Sequence, residues 1–179
     1  IGDGEEAVLE IARAISRITN HELGITNSGR RAAILNALSE IEGVYVPSVP
    51  KGKVRGRVVR DFENAPFPES LIVPYTEAVH DRVALEIMRG CSRGCRFCQA
   101  GMIYRPYRER SYDSVLESFS QGLASTGYDT LAMMALSATD LTYLNELMES
   151  LHCPSREVSV SIPSLRVEGI TRNVADLIA

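Results

Sequence analysis

The sequence predicts an α/β fold in which short hydrophobic strands run parallel and alternate with helices. Apolar residues alternate along VALEIM and EVSVSI and fill the run TLAMMAL, as strands of a half-buried or buried sheet require. Between these strands, residues 113–126 and the segment LTYLNELMESLH carry apolar side chains at helical spacing. Because helical crossovers connect parallel strands, this alternation predicts a parallel sheet that forms half of a barrel.

The N-terminal segment is predicted to contain a turn, two helices and a short strand. Gly2 and Gly4 permit a tight turn. The first helix is indicated by apolar residues at helical spacing, namely Val8, Ile11, Ile15 and Ile18. Ser28 is a candidate N-cap for the second helix. The apolar face of this second helix comprises Ile34, Leu35, Leu38 and Ile41. The sequence GVYVP then predicts a short strand that ends at Pro47.

Residues 47–78 are predicted to be a linker between two domains. The sequence VRGRVVR alternates and could pair as an edge strand, whereas FENAPFPESLIVPY holds three prolines and has no helical period. We therefore expect a first domain at residues 1–46, a linker at 47–78 and a second domain at 79–179.

Local signals bound the elements of the second domain. Gly127 is expected to end the helix at residues 113–126, and Thr139 or Asp140 could cap the helix that follows. The first strand leads directly into Gly90 and Cys91. Because barrels and parallel sheets place active sites at the carboxyl ends of their strands, we expect the functional site in this loop.

Charge and hydropathy exclude some functional classes. The net charge of −4 argues against a general nucleic-acid binder. Six arginines nevertheless lie between positions 89 and 110, with Glu109 as the single acid, which suits an anionic substrate or cluster. The longest apolar run, residues 131–136, is too short for a membrane helix, and no signal peptide is evident. We expect a cytoplasmic protein. Since the chain starts with Ile1 and ends within the helical pattern TRNVADLIA, we also expect a fragment of a larger protein.

The most informative motif is CSRGCRFC, which places Cys91, Cys95 and Cys98 at spacings of three and two intervening residues. An iron–sulfur cubane is normally held by four thiolates, so three leave one iron open to a small molecule. A structural zinc site is the alternative, and it would need a fourth ligand. The nearest candidates are His80, His152 and Cys153. A disulfide framework fits worse, because three clustered thiols cannot pair off.

This motif resembles the cluster-binding signature of the radical S-adenosylmethionine (SAM) enzymes. The resemblance implies a [4Fe-4S] cluster held by Cys91, Cys95 and Cys98, with the open iron chelated by the amino and carboxylate groups of SAM. Electron transfer from the cluster would cleave SAM to a 5'-deoxyadenosyl radical. It also implies an electron donor such as flavodoxin or ferredoxin.

The wider sequence resembles an uncharacterised bacterial radical SAM group that carries an N-terminal cobalamin-type domain. The matching stretches are VHDRVALEIMRGCSRGCRFCQAGMIYRPYRERS, LSATD and SIPSLRVEG. Residues 1–46 resemble the last part of that Rossmann-like, cobalamin-binding-type domain. The expected architecture is the tail of this domain followed by the first half of a radical SAM (β/α) partial barrel. Cobalamin binding is left open, because a histidine loop that ligates cobalt would, if it exists, lie upstream of this sequence.

The resemblance also implies SAM-binding residues. Phe97 would pack over the loop with its backbone near the adenine, and a hydrophobic plug is its alternative role. LSATD stands where the family often has Gly-Gly-Glu, so Asp140 is either a ligand or a helix N-cap. Arg166 would pair with the SAM carboxylate, or else form a surface ion pair. The full expected set is Phe97, Ser137, Thr139, Asp140, Ser161, Ser164 and Arg166.

The function predicted from this resemblance is that of a radical SAM enzyme whose substrate is unknown, with the fragment inactive alone. RNA modification is a fold-level analogy. Aromatic and basic residues after the motif could stack and pair with RNA, although wrapping of the cluster loop is the favoured interpretation. These residues are Tyr104, Arg105, Tyr107, Arg108 and Arg110. The alternatives are a zinc-stabilised binding module and a non-catalytic iron–sulfur redox sensor.

Overall fold

A computed structural model describes residues 1–21, 26–68, 70–76, 78–152, 158–172 and 174–175. The chain divides into two compact units, residues 1–61 and residues 62–179. The division falls inside the expected linker, so residues 47–61 belong to the first unit and residues 62–78 to the second. The assignment of residues 1–46 to a cobalamin-type domain stays a prediction.

The first unit is built on two helices, α1 at Glu5–His21 and α2 at Asn27–Ser39, which pack against each other. The N-cap of α2 is Thr26, whose hydroxyl accepts a hydrogen bond from the Gly29 amide, so our assignment of the cap to Ser28 is wrong. The alternating segment VRGRVVR makes an isolated parallel bridge from Arg57 to Gly2 instead of an edge strand.

The strand predicted at GVYVP does not form. The amide of Val44 donates to the carbonyl of Ile41, and the amide of Val49 donates to the carbonyl of Val46. These turn hydrogen bonds use backbone groups that a strand would have to offer to a neighbour. Residues 44–46 therefore lie between turns.

The second unit carries the parallel sheet. Its strands are β1 at Val83–Glu86, β4 at Thr130–Met134 and β5 at Ser159–Ser161, in the order β1-β4-β5, and both pairings are parallel. The predicted parallel sheet is confirmed. A two-stranded antiparallel ribbon, β2 at Met88–Arg89 and β3 at Arg108–Glu109, was not predicted. The helices are α3 at Ala100–Ile103, α4 at Tyr112–Thr126 and α5 at Leu144–Leu151.

One face of the sheet packs into the hydrophobic core of the second unit. Val83 and Leu85 of β1 and Leu131 and Met133 of β4 are fully buried and pack with Phe119 of α4 in the core. Val158, Val160 and Ile162 pack against the same core, as expected for one face of the third strand. The residues between them along β1 and β4 point to the opposite face, because side chains alternate along a strand. These residues are Ala84, Glu86, Ala132 and Met134.

The bounds of α4 follow from its caps, whereas the start of α5 does not match our prediction. Ser111 accepts a hydrogen bond from the Ser114 amide, and Gly127 closes α4 with a φ of 73°, as predicted. Thr139 and Asp140 do not cap α5. They lie in a 3-10 turn at Ala138–Asp140, and α5 begins only at Leu144, without a side-chain cap.

The remaining sequence predictions concern membrane crossing and the C terminus. Within the described part of the chain, no helix has both the length and the apolar character needed to cross a membrane. The helical pattern at the end of the sequence falls partly outside the described residues, and Cys153 falls wholly outside them.

Candidate functional site

The cysteine loop follows β2 near the carboxyl end of β1, where the sequence predicted the site. Gly90 makes this turn with a φ of 83°. A Cβ at this position would lie 2.6 Å from the carbonyl oxygens of both Tyr104 and Pro106. Only glycine fits such a close approach, so the returning segment 104–106 can lie directly against the start of the loop.

The three thiols differ in exposure, and two of them accept backbone hydrogen bonds. Cys91 and Cys98 are partly buried, whereas Cys95 is exposed. The amide of Arg93 lies 3.4 Å from Sγ of Cys91, and the amide of Gly101 lies 3.4 Å from Sγ of Cys98. Hydrogen bonds to sulfur are one of the means by which proteins tune iron–sulfur clusters.

The thiols fit an iron–sulfur cluster by donor type and spacing, although their sulfurs are not gathered into one ligand set. Across the described ranges, no three His, Cys, Asp or Glu side chains lie close enough to share a metal ion. The same finding means that neither His80 nor His152 forms a ligand group with two of the thiols. Thiolates repel one another without a bound cation, and metal binding is coupled to ordering of the ligands. We therefore expect convergence of Cys91, Cys95 and Cys98 when a cluster is bound.

An ion pair ties the loop to the sheet. Arg93, between the first two cysteines, donates from Nε and from one terminal nitrogen to the two carboxylate oxygens of Asp140, at 3.2 and 2.7 Å. Asp140 follows β4 and lies 47 residues away in the sequence. Hydrogen bonding by Arg93 is the main cause that lowers the pKa of Asp140, and the same contact raises the pKa of Arg93.

The ribbon strand β3 is tied to the same stretch of chain, residues 140–143. Tyr107 donates to the backbone carbonyl of Asp140 at 2.8 Å and also to Glu109. Glu109 accepts from the amide and the hydroxyl of Thr142, at 2.9 and 2.6 Å. Tyr143 donates to the carbonyl of Arg110. Residues 140–143 therefore contact both the cysteine loop and the strand that leaves it.

The tyrosines of this network act as hydrogen-bond donors. Burial is the largest cause that raises the pKa of Tyr107, and the neighbouring Glu109 raises it further. Burial likewise raises the pKa of Tyr143. Both hydroxyls therefore keep their protons at neutral pH, as the hydrogen bonds that they donate require.

Most of the expected SAM-binding residues lie together at the ends of β4 and β5. The hydroxyls of Ser137 and Thr139 are 3.4 Å apart, and Thr139 accepts from the Arg166 amide at 3.3 Å. The Ala138 amide donates to the carbonyl of Ser164 at 2.9 Å. Arg166 lies 3.9 Å from Asp140 and pairs with Glu168 at 3.0 Å.

Two expected residues lie outside this cluster. The hydroxyl of Ser161 accepts a 3.4 Å hydrogen bond from Arg82, which precedes β1. The side chain of Phe97 is 92% exposed, so it does not plug the loop. The SAM-binding roles of these residues stay predictions.

The arginines near the motif are used largely within the protein. Arg105 donates to the carbonyls of Gly101 and Arg93, at 3.1 and 3.0 Å. Arg110 is 5% exposed and donates to backbone carbonyls of Glu63, Ala65 and Glu86. These contacts agree with a segment that wraps the loop, as we favoured. An RNA partner stays a prediction.

A cavity of about 430 Å³ opens beside the start of the loop. One wall contains the ion pair between Glu86 and Arg89, whose two hydrogen bonds measure 2.9 and 2.6 Å. The rest of its lining is mainly apolar. It comprises Met88, Gly90, Tyr104, Met134, Ala135 and Leu136. A concave, mainly apolar space with a few polar groups is typical of small-molecule sites, and its volume lies in their usual range.

Comparison of the chain with models of known protein families shows the superfamily to which it belongs. The family model described as the Radical SAM superfamily matches residues 85–179, which include the three cysteines and the ends of all three parallel strands. The chain belongs to the radical SAM superfamily. Its members in general use an iron–sulfur cluster to cleave SAM, so membership supports the enzyme assignment, and the cysteines at 91, 95 and 98 agree with it.

The chain is also similar to an archaeal protein. It is 32% identical over 137 residues to "Uncharacterized protein MJ0966" of Methanocaldococcus jannaschii. The match covers 75% of this chain and 30% of that protein. The match therefore spans less than a third of the length of this relative.

The sequence analysis missed the hydrogen-bond network around the cysteine loop. Arg93 was noted only as one of several arginines, and Glu109 only as the single acid among them. The contacts of Tyr107 and Thr142 were not anticipated. The position of Arg93 between two candidate ligands was an available signal, but its partner is remote in sequence and carries no local pattern.

Proposed function

We propose that this chain is the part of a radical SAM enzyme that binds a [4Fe-4S] cluster through Cys91, Cys95 and Cys98 and that reductively cleaves SAM. When bound, the reduced cluster would supply one electron to split a carbon–sulfur bond of SAM, which gives methionine and a 5'-deoxyadenosyl radical. A flavodoxin or ferredoxin in the cytoplasm is the electron donor that we propose. Abstraction of hydrogen from the substrate would follow.

One observation carries the proposal: three cysteines, with no fourth nearby in sequence, lie on a loop at the ends of parallel strands beside a small-molecule-sized cavity. Three thiolates leave one iron open. A small molecule with an amino and a carboxylate group could therefore reach that iron while the rest of it occupies the cavity. This arrangement favours catalysis over a structural role.

The chain's own groups would bind and orient the cofactor. The hydroxyls of Ser137 and Thr139 follow β4 and would serve as partners for polar groups of SAM. Arg166 can offer its guanidinium to the SAM carboxylate, because its present partner Glu168 is 76% exposed and such a pair is weak in water. The apolar lining of the cavity would exclude water from the adenosine part.

The test is cleavage of SAM by the anaerobically reconstituted chain. The protein is loaded with iron and sulfide, reduced with dithionite and incubated with SAM, and the products are separated by liquid chromatography. Although the sequence analysis predicts that the fragment is inactive alone, the cysteine loop and the cavity beside it both lie within this chain, so we propose that it produces 5'-deoxyadenosine and methionine in equal amounts. Cys95→Ala should abolish both products, because two remaining thiolates cannot hold the cubane.

The fourth cysteine of the chain provides the matched control. Cys153→Ala removes a thiol outside the motif and should leave cleavage unchanged. If the site instead binds zinc through Cys153 as a fourth ligand, the wild-type chain will be colourless and hold one zinc, and Cys153→Ala will release it. A brown protein that leaves SAM intact under reduction would support the redox sensor and contradict the enzyme.

A further inference from the structure

We propose that Arg93 and Asp140 form a positioning pair that fixes the cysteine loop against the end of β4, so that its three thiolates can converge on one cluster. The inference rests on the proposed function. It assigns Asp140 to the loop, in place of the cofactor contact or the helix cap that the sequence suggested.

The geometry of the pair suits positioning. Two nitrogens of one guanidinium meet two oxygens of one carboxylate, at 3.2 and 2.7 Å. Such a fork restrains orientation as well as distance, which a single contact with an ammonium group cannot do. Because Arg93 lies between Cys91 and Cys95, and its amide donates to the Cys91 sulfur, a restraint on Arg93 acts directly on two ligand positions.

Asp140 is a firm anchor for this fork. Its side chain is 10% exposed, whereas that of Arg93 is 51% exposed. Its amide donates to the carbonyl of Ser137, and its carbonyl accepts the Tyr107 hydroxyl. The backbone of Asp140 is therefore fixed by two hydrogen bonds that do not involve Arg93. The loop is the part that is being positioned, and the end of the sheet is the fixed part.

A second contact extends the restraint across the loop. Arg105 donates to the carbonyl of Arg93, before the last two cysteines, and to the carbonyl of Gly101, after them. The Gly101 amide in turn donates to the sulfur of Cys98. The same set of contacts thus reaches from Asp140 through Arg93 to both ends of the cysteine motif.

Because Arg93 is exposed, its ion pair with Asp140 can orient the loop without contributing much to the stability of the chain. An ion pair with an exposed partner is screened by water and contributes little to the free energy of unfolding. Both carboxylate oxygens of Asp140 accept from Arg93, and Arg166 lies 3.9 Å from one of them, so these two cations already compensate the charge of the acid. The effect of the pair should therefore appear in cluster binding and not in the stability of the metal-free chain.

The experiment compares Asp140→Asn, Arg93→Lys and the double variant with the wild type. Arg96→Lys is the matched control, since it makes the same conservative change at an exposed arginine of the same loop. Each chain is reconstituted anaerobically with iron and sulfide. The readouts are iron per chain, iron retention against a chelator, the electron paramagnetic resonance (EPR) spectrum of the reduced cluster with and without SAM, and the Tm of the metal-free chain.

We expect Asp140→Asn and Arg93→Lys to retain iron about 10-fold less well than the wild type, as for other groups that orient metal ligands. Their metal-free Tm values should remain near that of the wild type. The double variant should retain iron as well as the single variant with the lower retention, because the two changes remove one interaction. Asp140→Glu, which keeps a carboxylate fork, should recover part of the retention, and Arg96→Lys should match the wild type.

The outcomes separate this inference from the proposed function. If the wild-type chain takes up no cluster, the proposed function fails and the inference fails with it. If the wild-type chain binds a cluster and Asp140→Asn retains iron equally well with an unchanged EPR response to SAM, only the inference is overturned. A fall in Tm that accounts for the whole loss of iron would also overturn it, because the pair would then be structural.

Discussion

Most polar side chains around the cysteine loop form hydrogen bonds within the protein, including some that are partly exposed to solvent. Asp140 accepts both hydrogen bonds of the Arg93 fork, and Glu109 accepts two hydrogen bonds from Thr142. Arg110 satisfies three carbonyl groups at once. A residue type that would indicate ligand binding in isolation therefore serves here to order the loops around the cysteines.

The titration of Asp140 is a direct consequence of the Arg93 contact. Because Arg93 stabilises the carboxylate, the pKa of Asp140 in the folded chain lies below its ordinary value of 3.8. Ionised Asp140 thus favours the folded state above about pH 4, and this small contribution is lost as the pH falls through the folded pKa. We expect carboxyl-detected NMR titration to show a midpoint below 3.8 in the wild type and a higher midpoint in Arg93→Gln. Equal midpoints would show that the pair does not form in solution.

Arg110 offers a test of a buried arginine. Its guanidinium donates to the carbonyls of Glu63, Ala65 and Glu86 and lies 4.9 Å from the centre of the Phe62 ring. Arg110→Lys would leave carbonyls without donors, since an ammonium cannot reproduce the planar fork. We expect a loss of about 3 kcal/mol in the free energy of unfolding. Urea denaturation measures it, and the exposed Arg96→Lys should show almost no change.

At the scale of elements, α4 and β1 pack so closely that any side chain at Gly122 would force Val83 to move. A Cβ on Gly122 would lie 2.5 Å from Cγ1 of Val83, which is fully buried. The close packing places β1, and therefore the loop that follows it, at a defined distance from the helix layer.

The variant Gly122→Ala should destabilise the chain by about 1–3 kcal/mol, because the added methyl group overpacks the contact with Val83. Thermal unfolding followed by circular dichroism measures the change. Ser120→Ala, at an exposed position of the same helix, should stay within about 0.5 kcal/mol of the wild type. Adding Val83→Ala to Gly122→Ala should cost less than the sum of the two single changes. An additive result would mean that the two side chains do not meet.

Elements with strong local signals were predictable, and those that depend on remote partners were not. The alternation in VALEIM, the apolar run TLAMMAL and the caps of α4 are signals that each lie within a few residues of sequence. The strands β1 and β4 and the helix α4 formed as these signals predict. The strand expected at GVYVP failed because the Val44 amide and the Val46 carbonyl are used in turns. The cap expected at Asp140 failed because its carboxylate accepts from the remote Arg93 and the residue lies in a 3-10 turn.

At the scale of the whole molecule, the motif predicted the superfamily, and the order of elements predicted that the cysteine loop follows the first parallel strand. The sequence could not predict which polar residues orient the loop. Ser137, Thr139, Asp140 and Arg166 lie near one another because they follow the neighbouring strands β4 and β5, and their roles in SAM binding stay predictions. The partners of Arg93 and Glu109 are brought near only by the fold.

The division of the chain into two units leads to a prediction for the whole molecule. All three cysteines and every contact described around them lie within residues 62–179, the second unit. A chain that lacks residues 1–61 should therefore take up the same amount of iron per molecule as the full chain, provided that its circular dichroism spectrum shows a folded protein. A folded but iron-free product would show that the first unit contributes to the site.

The most direct test of the account is Mössbauer spectroscopy of the chain reconstituted anaerobically with ⁵⁷Fe and sulfide, before and after addition of SAM. Three cysteine ligands leave one iron of a [4Fe-4S] cluster open, so we predict that about a quarter of the iron signal shifts when SAM binds. A cluster whose iron sites are all insensitive to SAM, or a chain that takes up zinc and no iron, would contradict the account.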